Sequence, residues 1–199
     1  MEKNKTNPSG IPKKFKIKLI GKSYVGKTSF INSINSNKYS ITHENFNLPI
    51  NYKITFNYKY KSEPFYFEEE PEIDFSQLLT IGSSPPFFLK PKNNSNDYAA
   101  FLFIFDVSEE ESLDYITKSL TSIYSNSIYN NVMKVLIGNK NDLDEKLKQV
   151  KIENIQQISQ AFGLTYFQIS TRNPKQVYDV VYNIYTKMKE TVKINTKLL

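Results

Sequence analysis

A glycine-rich segment near the amino terminus constrains the fold of this chain more than any other feature. Residues 21–29 read GKSYVGKTS; they follow the alternating run FKIKLI and precede the helical pattern KTSFINSI. A strand, a glycine turn and a helix in that order direct successive backbone N–H groups and a helix amino terminus toward one anion. The spacing Gly-x-x-x-x-Gly-Lys-[Ser/Thr] therefore predicts a phosphate-binding loop, its members being Gly21, Gly26, Lys27 and Thr28.

The chemistry of such a loop assigns a role to its charged and hydroxyl side chains. Lys27 is expected to contact the β and γ phosphates of a nucleotide, and Thr28 to offer its hydroxyl to Mg²⁺. Tyr24 leaves alternatives open, because its ring either lies over the phosphates or hinders the entry of a partner's arginine, or else it points to solvent. The predicted nucleotide contacts of this segment are Ser23, Tyr24, Val25, Gly26, Lys27, Thr28 and Ser29.

Composition limits the class of protein. At 199 residues and 39% apolar, the chain is long enough for one domain with a sizeable core. It contains no cysteine, which excludes disulfides, thiolate metal sites and lipid attachment through a thiol. Its longest apolar run, AAFLFIFDV, is too short to span a bilayer as a helix. We expect a cytoplasmic monomer with no prenyl or transmembrane anchor, peripheral to membranes only through partners.

Charge argues against a nucleic-acid partner. The net charge of +6 comes largely from lysines near the two ends, where almost no arginine and no recognisable nucleic-acid module is found. A solvated basic surface explains these lysines. We expect a polar tail at residues 1–14, one domain at residues 15–190 and a short basic tail at residues 191–199.

Strand-like and helix-like segments alternate after the loop. Period-two alternation at residues 50–56 and 73–77 predicts a long antiparallel hairpin with an aromatic and acidic tip at residues 61–71. The run at 99–107 precedes a helix expected to start at the capping-box pair Ser108 and Glu111 and to reach about Ile128. VMKVLIGN and LTYFQIS also precede helical patterns. The alternation predicts an α/β fold with a mostly parallel sheet and helices on both faces.

A second motif indicates which base the nucleotide carries. GNKND, residues 138–142, ends an apolar strand, where ligand-facing loops lie in open α/β sheets. The carboxylate of Asp142 can accept two parallel N–H bonds from N1 and N2 of guanine, a pair that adenine does not present. The motif therefore predicts guanine specificity.

With both motifs in place, the chain resembles the Ras-like small GTPases, closest to the Rab branch. The resemblance covers residues 15–190 and includes GKSYVGKT, FIFDVSEEESL, GNKND and FQISTRN. It implies a P-loop NTPase small G-domain with a six-stranded, mostly parallel sheet. It also implies GTP or GDP and Mg²⁺ as cofactors.

The resemblance also implies roles for residues around the base. Asn139 and Asp142 would bind the base and its loop, and Lys140 would lie along the ring. Tyr39 falls where an aromatic side chain packs edge-on against the base. The backbone around the segment Ser170, Thr171 and Arg172 would donate to the guanine carbonyl, Arg172 replacing the family lysine.

The two switch segments depart from the family pattern. In the first, Asn47 stands where the family has a metal-binding threonine. In the second, LTIGS is the best match to Asp-Thr-Ala-Gly-Gln, with Leu79 for the aspartate, Gly82 retained and Ser83 for the glutamine. A rival alignment uses Asp74 but supplies no glycine at the right place. Ser83 is too short to orient the attacking water as glutamine does, so we expect impaired hydrolysis.

Two functions remain open from the sequence. One is a GTP/GDP switch of the Ras and Rab type that acts on effectors and regulators through its switch loops, with slow conversion of GTP to GDP and phosphate. This function carries the family's association with signal transduction and vesicle transport. The other is a catalytically inactive interaction module in which the nucleotide is a structural cofactor.

Overall fold

One six-stranded sheet organises the chain. The computed structural model describes residues 15–34, 50–58, 61–69, 72, 98–125, 127–130 and 132–197. Within them the strands are β1 (Phe15–Ile20), β2 (Ile50–Tyr58), β3 (Lys61–Glu69), β4 (Tyr98–Asp106), β5 (Met133–Asn139) and β6 (Thr165–Gln168). Their order is β2-β3-β1-β4-β5-β6, and only β2 runs antiparallel to its neighbour. This confirms the predicted mostly parallel α/β fold.

Helices cover both faces of the sheet. They are α1 (Lys27–Ile34), α2 (Glu110–Tyr124), α3 (Ile152–Ala161) and α4 (Pro174–Lys197), with 3₁₀ turns at Ser127–Tyr129 and Glu145–Leu147. Helices α1 and α4 pack on one face and α2 and α3 on the other. None of the described helices combines the length and apolar character needed to cross a membrane.

Strand β4 is buried on both faces, and this explains why the sequence there is a continuous apolar run. Ala100, Leu102 and Ile104 face the core beneath α1 and α4. The alternate residues, Phe101, Phe103 and Phe105, face the core beneath α2 and α3. A strand buried on both faces has no solvent side on which polar residues alternate, as expected for a central parallel strand.

The predicted hairpin is real in its first arm and wrong in its second. Strand β2 pairs along its length with Lys61–Glu69, the predicted tip, while residues 73–77, the predicted second arm, lie outside the described residues. Phe67 in β3 is 1% exposed, and the carboxylate of Glu68 pairs with Lys16 and Lys18 of β1. The acidic residues of this strand suggested a solvated turn, but cations on the adjacent strand neutralise one of them inside the sheet.

Helix α2 also differs from its predicted bounds. Its N-cap is Glu109, which makes no side-chain cap bond, and the helix ends at Tyr124. Ser108 is not the cap, because its hydroxyl donates to the Asp106 carboxylate at 2.7 Å. The predicted capping box is therefore wrong, and a carboxylate at the end of β4 is the reason.

The carboxyl ends of the parallel strands meet at one edge of the sheet. The last residues of these strands are Ile20, Glu69, Asp106, Asn139 and Gln168. In open α/β sheets ligands bind at this edge. The topology thus gathers the phosphate loop, GNKND and the segment after β6 around one crevice edge.

Candidate nucleotide-binding site

The phosphate loop has the backbone that its glycines predict. Gly26 has φ +101°, and a Cβ there would collide with the Asn139 amide nitrogen. Its carbonyl accepts the Phe30 N–H at 2.8 Å, which opens helix α1. Only glycine satisfies both the left-handed backbone and the close approach of Asn139.

Lys27 lies inside the curve of the loop. It is 9% exposed, and its ammonium donates to the carbonyls of Gly21 and Lys22 at 2.7 and 2.9 Å. These contacts hold the charge beside the first residues of the loop. A phosphate bound by the loop would meet a cation that is already positioned.

Tyr24 projects from the loop. Its side chain is 91% exposed, so its ring lies in solvent rather than over the loop. Its backbone has φ +64°, a conformation that costs a non-glycine residue about 1–2 kcal/mol. The structure therefore favours the solvent alternative for this residue.

Asn139 joins two loops and is 1% exposed. Its amide nitrogen donates to the Val25 carbonyl in the phosphate loop at 2.8 Å. Its amide oxygen accepts the Thr171 N–H, in the segment after β6, at 3.0 Å. One side chain thus fixes the phosphate loop relative to the segment expected to surround the base.

Asp142 is exposed at the rim of the same edge. Arg172 donates to its Oδ2 at 3.0 Å, with the guanidinium side chain 85% exposed. The Ser170 hydroxyl and, less strongly, Arg172 hold the pKa of the Asp142 carboxyl below its ordinary value. Asp142 is therefore an ionised acceptor at neutral pH, as base recognition requires.

Lys140 is anchored to the end of β4. Its ammonium is 2.5 Å from Oδ2 of Asp106, while the Ser108 N–H and hydroxyl donate to Oδ1. Burial opposes ionisation of Asp106, but the hydrogen bonds from Lys140 and Ser108 outweigh it and lower the pKa of this carboxyl. Asp106 was not predicted as a site residue, although its position as the last residue of an apolar strand was a usable signal.

Thr28 faces a carboxylate that the sequence analysis had placed in a hairpin tip. Its hydroxyl donates to Oε2 of Glu69 at 2.9 Å, and Glu69 is 7% exposed. The other oxygen, Oε1, is buried and has no hydrogen-bond partner within the described part of the chain. The Thr28 hydroxyl and the Glu69 carboxylate, whose Oε1 is buried and unsatisfied, are hard oxygen donors of the kind that Mg²⁺ takes, so these two residues fit that ion. Period-two alternation from Phe65 through Phe67 to Glu69 was the available signal.

A salt bridge joins the loop to helix α2. The Lys22 ammonium is 2.6 Å from Glu109 Oε1 and 2.8 Å from Glu111 Oε2. Hydrogen bonds to these two carboxylates raise the pKa of Lys22 above its ordinary value. Because the Glu109 and Glu111 side chains are 38% and 80% exposed, solvent screens this bridge and it adds little to the stability of the fold.

Five of the predicted residues lie outside the described part of the chain, and two serines of the phosphate-loop segment are exposed. Tyr39, Asn47, Leu79, Gly82 and Ser83 lie outside the described residues. Ser29 is exposed on the first turn of α1. Ser23 is exposed too, and its N–H donates to Glu72, a residue that no motif had indicated.

The fold and site define a class, that of α/β nucleotide-binding proteins with a phosphate loop between the first strand and helix. Comparison with known families is more specific, because the model of the Ras family matches residues 16–190. The chain belongs to the Ras family, and its resemblance to the Rab branch is confirmed by Rab-named relatives.

These relatives are distant. Ras-related protein Rab-3C of Bos taurus is 25% identical over 187 residues, which cover 90% of this chain and 75% of Rab-3C. Ras-related protein Rab-3 of Caenorhabditis elegans is 26% identical over 186 residues, covering 89% and 77%. Ras-related protein RAB1BV of Beta vulgaris is 29% identical over 89 residues, and the match spans 41% of its length.

Proposed function

We propose that this chain binds GDP and GTP with Mg²⁺ as a small GTPase of the Ras and Rab type, and that its intrinsic hydrolysis of GTP is impaired. The observation that carries the proposal is the double contact of Asn139. Its bonds to Val25 and Thr171 fix the phosphate loop and the base segment in one geometry. Such pre-positioning favours a ligand that has both a phosphate chain and a base.

Guanine recognition falls to Asp142 in this proposal. Its carboxylate is exposed and ionised, whereas both ends of the Asn139 amide are engaged by backbone groups. The ammonium of Lys140 is paired with the Asp106 carboxylate. The aliphatic part of the Lys140 side chain is therefore the part available to contact the guanine ring.

Thr28 and Glu69 would hold Mg²⁺. The ion would supply neutralisation of charge on the phosphate chain. In the LTIGS alignment Leu79 stands at the family aspartate, so that segment offers no carboxylate to the metal. Glu69 would supply one instead. Its unpaired Oε1 supports this assignment.

Slow hydrolysis follows from the second switch. Ser83 stands at the glutamine position and is too short to orient a water, and even complete Ras-type sites hydrolyse GTP unaided at only about 10⁻⁴ per second. The same departure supports the second candidate, an inactive module that keeps the nucleotide as a structural cofactor. In this proposal, effectors and regulators are protein partners that recognise the switch loops. The proposed location of the protein is cytoplasmic.

The first experiment identifies the nucleotide that copurifies with the full chain and follows single-turnover hydrolysis of GTP with and without Mg²⁺. We expect guanine nucleotide and a rate below about 10⁻⁴ per second. A measurable Mg²⁺-dependent rate favours the switch, and none favours the inactive module. Absence of guanine nucleotide together with no binding of added GDP contradicts both.

A second experiment tests base recognition. Asp142→Asn offers one donor and one acceptor, which match the C2 carbonyl and N1–H of xanthine rather than the two donors of guanine. We expect the preference for GDP over xanthosine diphosphate to reverse, with a change of at least about tenfold in the ratio of dissociation constants. Asp144→Asn, an exposed neighbour, is the matched control and should leave the ratio unchanged.

A further inference from the structure

A carboxylate of the chain itself occupies a donor of the phosphate loop. Oε2 of Glu72 accepts the backbone N–H of Ser23 at 2.7 Å, across 49 positions of sequence. Backbone N–H groups of such a loop are the groups that bind phosphate oxygens. Glu72 and a phosphate oxygen would therefore require the same donor.

The position of Lys27 indicates which phosphate this donor would serve. In loops of this spacing the lysine reaches the β and γ phosphates. Here its ammonium is bonded to the carbonyls of Gly21 and Lys22, the two residues that precede Ser23. The Ser23 N–H thus lies at the end of the loop that receives the outer phosphates.

The negative charge of Glu72 makes its contact with Ser23 discriminate between nucleotides. Both Glu72 and a third phosphate are anionic, and like charges within a few ångströms of each other repel strongly near a protein surface. Glu69, three residues earlier, also faces the loop, but its contact is with the Thr28 hydroxyl and suits a cation. The two carboxylates of this segment therefore act on different partners, the metal and the outer phosphate.

We propose that Glu72 makes this site selective for guanosine diphosphate over guanosine triphosphate, by holding a carboxylate at the outer-phosphate end of the loop. This inference rests on the proposed binding of guanine nucleotides. A diphosphate leaves the contact between Glu72 and Ser23 intact. A triphosphate must displace the carboxylate from its donor and remain near its charge.

The test measures dissociation constants of the full chain for GDP and for guanosine 5′-(β,γ-imido)triphosphate, at constant Mg²⁺, in the wild type and in Glu72→Gln. Glutamine keeps the size of the side chain and removes the charge. Glu72→Ala removes both charge and contact. Glu153→Gln, an exposed glutamate at the start of α3, is the matched control.

We expect the wild type to bind the diphosphate at least about tenfold more tightly. Glu72→Gln and Glu72→Ala should tighten triphosphate binding at least about fivefold and change diphosphate binding less than about twofold. Glu153→Gln should change neither. The wild-type preference should also weaken as salt is raised, because the repulsion is screened.

Two results overturn the inference in distinguishable ways. If GDP binds and the Glu72 variants leave the ratio unchanged, or tighten both nucleotides equally, the role of Glu72 is wrong and the proposed function stands. If neither nucleotide binds to the wild type, the proposed function fails and the inference fails with it.

Discussion

Replacing Asn139 with alanine tests the link between the phosphate loop and the base segment most directly. The side chain is 1% exposed and holds the Val25 carbonyl at 2.8 Å and the Thr171 N–H at 3.0 Å. Alanine removes both bonds and leaves two backbone groups without these partners. The change should therefore lower both the stability of the fold and the lifetime of a bound nucleotide.

The structure sets the size of the effect. Two hydrogen bonds at about 1 kcal/mol each, together with about 1–2 kcal/mol for backbone groups left unsatisfied, lower the free energy of unfolding by about 3–4 kcal/mol. That is a large share of the 5–15 kcal/mol typical of a domain. Asn139→Asp should cost at least as much, because it sets a carboxylate oxygen against the Val25 carbonyl.

Urea unfolding followed by circular dichroism, without nucleotide, measures the stability loss. The dissociation rate of a fluorescent GDP analogue measures the loss of the link between the phosphate loop and the base segment. We expect this rate to be at least about tenfold faster in Asn139→Ala. Asn130→Ala removes an exposed asparagine and should change the free energy of unfolding by less than about 0.5 kcal/mol.

The reasoning is refuted if Asn139→Ala unfolds within about 0.5 kcal/mol of the wild type. It is also refuted if stability falls while the dissociation rate of GDP does not change. In the second case the amide stabilises the fold, but the joined loops do not determine how long the nucleotide stays bound.

Three further predictions concern side chains around the sheet edge. Burial raises the pKa of Tyr166 to about 12, and its buried hydroxyl has no hydrogen-bond partner among the described residues. A raised pKa stabilises the fold below pH about 10 and this stability is lost as pH rises toward about 12, so Tyr166→Phe should remove an alkaline loss of about 1 kcal/mol in urea titrations. Tyr124→Phe should instead destabilise the fold by about 1 kcal/mol, since that hydroxyl donates to the backbone carbonyl of Phe162. Tyr24→Gly should raise the free energy of unfolding by about 0.5–1 kcal/mol through relief of its left-handed backbone, and Tyr24→Phe, which keeps that backbone, should not. Lys22→Met should lower stability by less than about 1 kcal/mol in low salt and by nothing measurable in high salt; a loss that persists in high salt would contradict a surface ion pair.

Local sequence patterns predicted much of the fold. The phosphate loop, GNKND and the alternation of apolar strands with helices were readable because each depends on residues within one element. Strands β5 and β6 were predicted as elements and lie where expected. The second arm of the hairpin was misplaced because Glu68 looks solvent-seeking until Lys16 and Lys18 are brought beside it.

The candidate site was less predictable than the fold. Asn139 and Asp142 were found from their motif, but the sequence did not indicate that one is buried between loops and the other exposed. Glu69 and Glu72 belong to no motif that the sequence analysis used. Their relevance comes from what lies opposite them.

The sequence by itself predicted a phosphate loop and a guanine-recognition motif, because both predictions follow from short spacings in two loops and from the chemistry of the residues there. Tertiary structure alone decided how the loops act together. The bond from Asn139 to Val25 spans 114 positions, and that from Thr28 to Glu69 spans 41. Contacts at such separations depend on strand order at the sheet edge, which no local pattern encodes.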